Sequence, residues 1–353
     1  MNLEEVLKEY DYQFPESAIA QYPARPRDTA KLLVYERESG RIAEDIFLNL
    51  DKYLPKDAVL VFNNTKVLPA RFEADKPTGG KVRLLYIRTV GQDIFCLADR
   101  VLEEGMELRV KRQIVKVKKR EGNGWLLEPD FSTKEIEKFL EKNGRVPLPP
   151  YIKHFDKSAG VAMREYQTIF AKKSGSVAAP TASLHFTPRL LNKLKKKGIA
   201  IKYVTLHVGL ATFAPLTPEH LASGKLHAEE YSVDSATAKF LNSAKAKGRP
   251  IVAVGTTAVR ALESAVVGGK LKKLKGETSL FIRDPKQFKF VDSIITNFHV
   301  PKSSLLMLVS AFAGRRPSFA KATDGREKIL QIYKYALAKR YRLFSFGDGM
   351  LII

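Results

Sequence analysis

What most constrains this chain is a recurring pattern. An apolar, strand-like run ends in a cluster of small and polar residues, and a helical pattern often follows. Val59-Leu60-Val61-Phe62 runs into Asn63-Asn64-Thr65, and Tyr203-Val204-Thr205-Leu206 into His207-Val208-Gly209. Ile251-Val252-Ala253-Val254 runs into Gly255-Thr256-Thr257, Ile294-Ile295-Thr296 into Asn297-Phe298-His299, and Leu343-Phe344-Ser345-Phe346 into Gly347-Asp348. Buried strands alternating with helices predict an α/β fold with a parallel or mixed sheet. In such folds ligands bind at the C-terminal ends of parallel strands, so these clusters are expected to converge on one site.

The remaining periodicities place helices near residues 235–247, 258–266, 305–313 and 327–339, and strands near 58–62, 199–206, 251–254 and 294–296. Residues 69–149 read differently. Short runs such as Val82-Arg83-Leu84-Leu85-Tyr86-Ile87 and Leu108-Arg109-Val110-Lys111 are punctuated by Gly79-Gly80, Gly91 and Gly122-Asn123-Gly124, and Ile114-Val115-Lys116-Val117-Lys118 alternates with a period near two. They predict a small antiparallel β-barrel followed by a helix over 133–142. The large domain is then discontinuous, residues 1–68 and 150–353 forming a barrel-like α/β body into which 69–149 is inserted. Residues 317–325 have the composition of an exposed loop.

Composition narrows the partners. A formal charge of +22 over 353 residues favours a polyanion, and nucleic acid is the leading expectation because it gains free energy by counterion release. The lone Cys96 excludes an internal disulfide framework and any multi-cysteine metal site. The acidic start Met1-Asn2-Leu3-Glu4-Glu5 lacks an apolar signal core, and the apolar run 304–314 is too short for a bilayer, which needs about 20 residues. A cytoplasmic protein with no membrane contact is expected.

Gly255-Thr256-Thr257 suits the start of a helix that meets an anionic group, the glycine allowing close approach and a threonine capping the helix. Thr257, Arg260 and Glu263 recur every three residues and share a helix face, which presents a cation and a carboxylate to one ligand or simply holds an intrahelical ion pair. His227-Ala228-Glu229 puts an imidazole and a carboxylate on one face of an extended segment. With His207 and His299 at strand ends, they suggest acid–base machinery. The same four residues are also a plausible ligand set for zinc or iron, as in a metal-dependent hydrolase or isomerase on an α/β barrel. His185 sits in a small-residue loop, GSVAAPTASLHFT over 175–187, suited to a planar ligand. Basic stretches at 111–120 and 270–275 suit phosphate contacts or a solvated face. No Walker motif is present, and no Gly-x-Gly-x-x-Gly follows a strand.

Longer segments carry a resemblance. DYQFPESAIAQYPARPRDTAKLL (11–33), VFNNTKVLPAR (61–71), GRVPLPPY (144–151), Tyr166-Gln167-Thr168, the 175–187 loop, VTLHVGLATF (204–213), residues 226–231, VGTTAVRALES (254–264), TNFHVPKSSLLMLVSAFAG (296–314) and residues 341–351 are similar, in the same order, to the S-adenosylmethionine:tRNA ribosyltransferase-isomerases of the queuosine pathway. The resemblance implies a large α/β domain with an inserted β-barrel. It implies addition of a rearranged ribosyl group from S-adenosylmethionine to 7-aminomethyl-7-deazaguanine at the tRNA wobble position, giving epoxyqueuosine-tRNA and releasing adenine and methionine. S-adenosylmethionine is then a co-substrate, no cofactor or metal is required, and a monomer is expected. His207, His227, Glu229 and His299 become the candidates for proton transfer and orientation. Candidate substrate contacts are Asn63, Asn64, Thr65, Arg71, Pro180, Thr181, His185, Thr205, Gly209, Gly255, Thr256, Thr257, Arg260, Glu263, Asn297, Gly347 and Asp348. The chain departs from the family pattern at Gly224, where histidine is common, and at Leu226, where methionine is. Ser183 and Ala211 replace usual glycines, Gly349 a usual alanine, and the 317–325 loop resembles an insertion.

Overall fold

Strands Val59–Asn63, Ile251–Val254 and Ser293–Asn297 are buried at every position, as befits the middle of a sheet covered on both faces. The computed structural model describes residues 2–155, 158–209, 215–314 and 323–353, the side chains of Thr323 and Asp324 excepted. Among the described residues, nine strands form one mixed sheet in the order Lys275–Leu280, Lys225–Ser232, Ala200–Leu206, Val59–Asn63, Ile251–Val254, Ser293–Asn297, Gly349–Ile352, Lys31–Tyr35, Ile42–Ile46. The run from Ala200–Leu206 to Ser293–Asn297 is parallel throughout. Its C-terminal ends therefore share one edge of the sheet, and the barrel-like expectation is realised as this mixed sheet.

Side chains alternate between the two faces as a strand's period of two requires. Val59, Val61, Ile251, Ala253 and Ile294 pack with the helices Ser235–Ala246, Thr256–Ala265, Ser304–Ala313 and Thr323–Ala338. Leu60, Phe62, Val252, Val254 and Ile295 face the helix Pro188–Lys196 and the 3-10 turn Phe47–Lys52.

A second sheet closes on itself as an antiparallel barrel in the order Gly124–Pro129, Asp93–Ala98, Lys81–Val90, Arg71–Asp75, Glu107–Val110, Gln113–Glu121. Its core includes Phe72, Leu84, Cys96 and Leu127, capped by Phe139 and Leu140 of the helix Ile136–Asn143. Every barrel strand lies between Arg71 and Pro129, and every strand of the large sheet outside that interval.

Two expectations are corrected. Residues 343–346 do not form a strand: Phe344 adopts φ +69°, the chain turns, and the terminal strand is Gly349–Ile352, antiparallel to Ser293–Asn297. The end of the expected 317–325 loop is already helical, in Thr323–Ala338, while Ala211 and residues 315–322 lie outside the described residues. Among the described residues, no helix is long and apolar enough to cross a membrane.

Candidate functional site

At the shared edge of the parallel strands opens a cavity of about 630 Å³. Pro149, Pro150 and Tyr151 line it together with the strand end Thr296-Asn297 and the start of the helix Thr256–Ala265, which supply polar groups. Of the residues expected from sequence, Pro180, Thr181, His227, Glu229, Gly255, Thr256, Thr257, Arg260, Asn297 and His299 line it.

Gly255 holds φ +89°, a conformation that lets the chain turn from strand into helix. It occupies the N-cap position itself, so no threonine side chain caps this helix, contrary to expectation. That leaves Thr256 and Thr257 facing the cavity. Thr257 Oγ1 is buried and has no hydrogen-bond partner among the described residues, an unmet polar group in the cavity wall.

Arg260 does not pair with Glu263. Its guanidinium forms a buried ion pair with Glu229, and its Nε donates to the Leu280 carbonyl at 3.1 Å. The other Glu229 oxygen accepts the Gly209 N–H at 2.9 Å. Glu263 faces elsewhere, accepting the backbone N–H groups of Lys289, Phe290 and Val291. The shared helix face is thus divided between bracing the cavity wall and anchoring a neighbouring loop.

His299 lies over the end of Ser293–Asn297, its Nε2 2.8 Å from Thr296 Oγ1, while its backbone N–H donates to the Tyr333 hydroxyl at 2.9 Å. Desolvation holds its imidazole well below the usual range, so it is neutral at neutral pH. Asn297 accepts the Thr181 hydroxyl at 2.9 Å and reaches His185 Nε2 at 3.3 Å. His185 stacks on Phe47 at 4.1 Å behind the cavity, and burial pushes it down to about 3.

The other candidates lie beside the cavity or farther away. His207 Nδ1 is 2.8 Å from Thr65 Oγ1, and burial lowers its pKa. Asn63 bridges two strands by bonding both backbone groups of Leu206, and Asn64 accepts the Thr205 hydroxyl at 2.7 Å. Arg71 exchanges backbone bonds with Arg145 at the barrel. Asp348 binds the N–H groups of Lys31 and Arg342, and an alanine Cβ at Gly347 would collide with the backbone of Arg342 and Leu343. His207, Glu229 and His299 are each committed to a different partner, and among the described residues no three His, Cys, Asp or Glu side chains are grouped to hold a metal ion.

Sequence reasoning missed His220, which lines the cavity against His227, and the Tyr151 hydroxyl, which is 2.7 Å from Ser345 Oγ in the same wall. Tyr151 ends the matched segment 144–151, a signal that was available. His220 stands in no matched segment.

A family model described as "Queuosine biosynthesis protein" matches residues 7–352. The chain is 42% identical over 350 residues to the S-adenosylmethionine:tRNA ribosyltransferase-isomerase of Thermotoga petrophila, covering 98% of this chain and 99% of the relative. It is 41% identical over 347 residues to the protein of that name from Francisella tularensis subsp. novicida, covering 98% of each. Among solved structures, it is similar to the S-adenosylmethionine tRNA ribosyltransferase of Thermotoga maritima, with a TM-score of 0.55 and 33% identity, across 98% of this chain and all of that one.

Proposed function

Because the chain belongs to the S-adenosylmethionine:tRNA ribosyltransferase-isomerase family of queuosine biosynthesis and is a transferase of that family, we propose that its cavity holds S-adenosylmethionine together with one tRNA base. The base is 7-aminomethyl-7-deazaguanine at the wobble position, and the product is epoxyqueuosine-tRNA. The observation that carries the reading is convergence: His227, the Glu229–Arg260 pair, Thr257 and the Thr296–His299 pair all meet one cavity at the C-terminal edge of the parallel strands.

The sulfonium of S-adenosylmethionine acidifies the adjacent methylene, so a modest base suffices to remove a proton there. Adenine departs more readily once its ring is protonated. The aminomethyl nitrogen then forms a bond to the sugar carbon that adenine left. The bond from that carbon to the ring oxygen breaks as the deprotonated methylene carbon bonds to the same carbon and closes the five-membered carbon ring. The freed oxygen closes the epoxide on the methylene carbon by expelling methionine. His227, half-buried and facing the cavity, is assigned proton transfer. Glu229, already shared between Arg260 and Gly209 N–H, fixes the wall rather than moving a proton. His299, held neutral by burial, orients Thr296 through their hydrogen bond rather than carrying a charge. Thr257, Thr181 and Asn297 provide polar contacts for the sugar or methionyl part, and His207 with Thr65 supports the rim.

The test is release of adenine and methionine. Purified protein given S-adenosylmethionine and an anticodon stem-loop bearing the aminomethyl base should release both, and release should stop when either substrate is omitted. Release independent of the RNA, or none at all, overturns the reading.

A further inference from the structure

The side chain of His227 has no hydrogen-bond partner among the described residues, although it faces the cavity from the strand Lys225–Ser232. Its neighbour Glu229 is taken up by Arg260 and Gly209. The ring that meets it is His220, with centroids 4.9 Å apart and planes at 82°. Edge-to-face contact at this spacing restricts how a ring can rotate. We propose that His220 is a positioning residue for His227, fixing the orientation in which that imidazole meets the substrate.

His220 is itself held firmly. Thr217 caps the helix Pro218–Ser223, its hydroxyl accepting the His220 N–H while its own N–H donates to His220 Nδ1 at 3.1 Å. This reciprocal cap ordinarily uses Glu or Gln at the third helical position, and here an imidazole does the same work. An Nδ1 that accepts a hydrogen bond carries no proton, so the neutral ring keeps its hydrogen on Nε2. Gly224 ends the helix at φ +65° and returns the chain into Lys225–Ser232, which lays residue 227 against residue 220. A side chain at residue 224 would be strained by that φ. Burial first, and then the neighbouring His227, lower the pKa of His220, with Glu219 opposing them. Glu219 accepts the Thr217 hydroxyl, and Arg283 donates to the Leu221 carbonyl on the same short helix. His220 is thus a neutral, tethered ring beside a free one.

The inference rests on the functional reading above for its kinetic consequence, but not for its geometry, so two measurements separate them. His220→Gln retains an acceptor for the Thr217 N–H and removes the ring. With S-adenosylmethionine and the stem-loop, kcat should fall about 10-fold or more, with the KM for S-adenosylmethionine within about twofold of wild type, because misorientation costs rate rather than binding. The NMR resonances of the His227 ring protons, followed without substrate, should shift in His220→Gln as the facing ring disappears. Unchanged His227 resonances, or wild-type kcat in His220→Gln, overturn the proposal and reduce His220 to a helix cap. Absence of turnover in the wild-type protein counts against the functional reading, and the NMR comparison still decides this one.

Discussion

The Glu229 carboxylate and the Arg260 guanidinium face each other inside the protein, their side chains 1% and 6% exposed, at the point where the strand Lys225–Ser232, next to the edge of the sheet, meets the helix that follows Gly255. Each charge loses its water on folding, and each is compensated: Glu229 by Gly209 N–H, Arg260 by the carbonyls of Leu280 and Thr278. A pair satisfied in this way is worth little net, but half of it is costly. Arg260→Met should therefore destabilise the fold by about 3–5 kcal/mol, because Glu229 is left charged and unpaired. Adding Glu229→Gln to that variant should recover part of the loss. Thermal unfolding of the single and double variants checks this, and a double variant that is additively worse contradicts it.

His227→Ala should reduce turnover by about 100-fold or more, the range expected for loss of a positioned proton-transfer group. Binding of S-adenosylmethionine, measured by calorimetry, should change far less. Near-normal turnover would move the proton chemistry to another imidazole, with His207 and its Thr65 contact next in line.

Stability should depend on pH through His185. Its pKa is depressed by burial from 6.5 to about 3 in the folded protein, so between those values the unfolded chain binds the extra proton. Stability is fully present above pH 6.5 and is lost progressively as pH falls towards 3. His185→Phe, which retains a ring to stack on Phe47, should show a shallower fall of melting temperature across that window. Identical slopes would show that His185 is not a source of the acid sensitivity.

Much of this architecture is legible in the chain, for an identifiable reason. Val59–Asn63 and Ile251–Val254 are apolar at nearly every position because both faces are covered, so strand, burial and strand end all show in the residues. Residues 343–346 mislead because alternating large apolar groups also suit a packed turn, and nothing local reveals the left-handed φ of Phe344. At the site, residue type indicates chemistry but not commitment. Asn63 and Glu263 have the polarity of ligand contacts, yet their hydrogen-bonding groups are used by the backbones of Leu206 and of residues 289–291. His220 escapes notice because only the turn at Gly224 brings it to His227, a tertiary relation that periodicity does not encode.

Binding of tRNA should be strongly salt-dependent, given the formal charge of +22. Extruding a base for chemistry costs a few kcal/mol, which phosphate contacts along the anticodon stem can offset. Raising salt should increase the KM for tRNA steeply and leave that for S-adenosylmethionine nearly unchanged. Lys270, Lys272, Lys273 and Lys275 are all exposed around the edge strand that leads to the cavity-lining Leu280. Replacing the four with Glu should flatten the salt dependence, and a variant with the wild-type slope would make this cluster a solvated face.

On the proposed reaction, the ribosyl carbons of S-adenosylmethionine end up on the tRNA base. The direct measurement supplies S-adenosylmethionine isotope-labelled only in its ribosyl group, together with an anticodon stem-loop bearing 7-aminomethyl-7-deazaguanine. The RNA is then digested and its nucleosides analysed by mass spectrometry. The full ribosyl label should appear in a new nucleoside with the mass of epoxyqueuosine, while the released adenine and methionine carry none. Label that remains with adenine or methionine, or a nucleoside that gains only a methyl group, would contradict it.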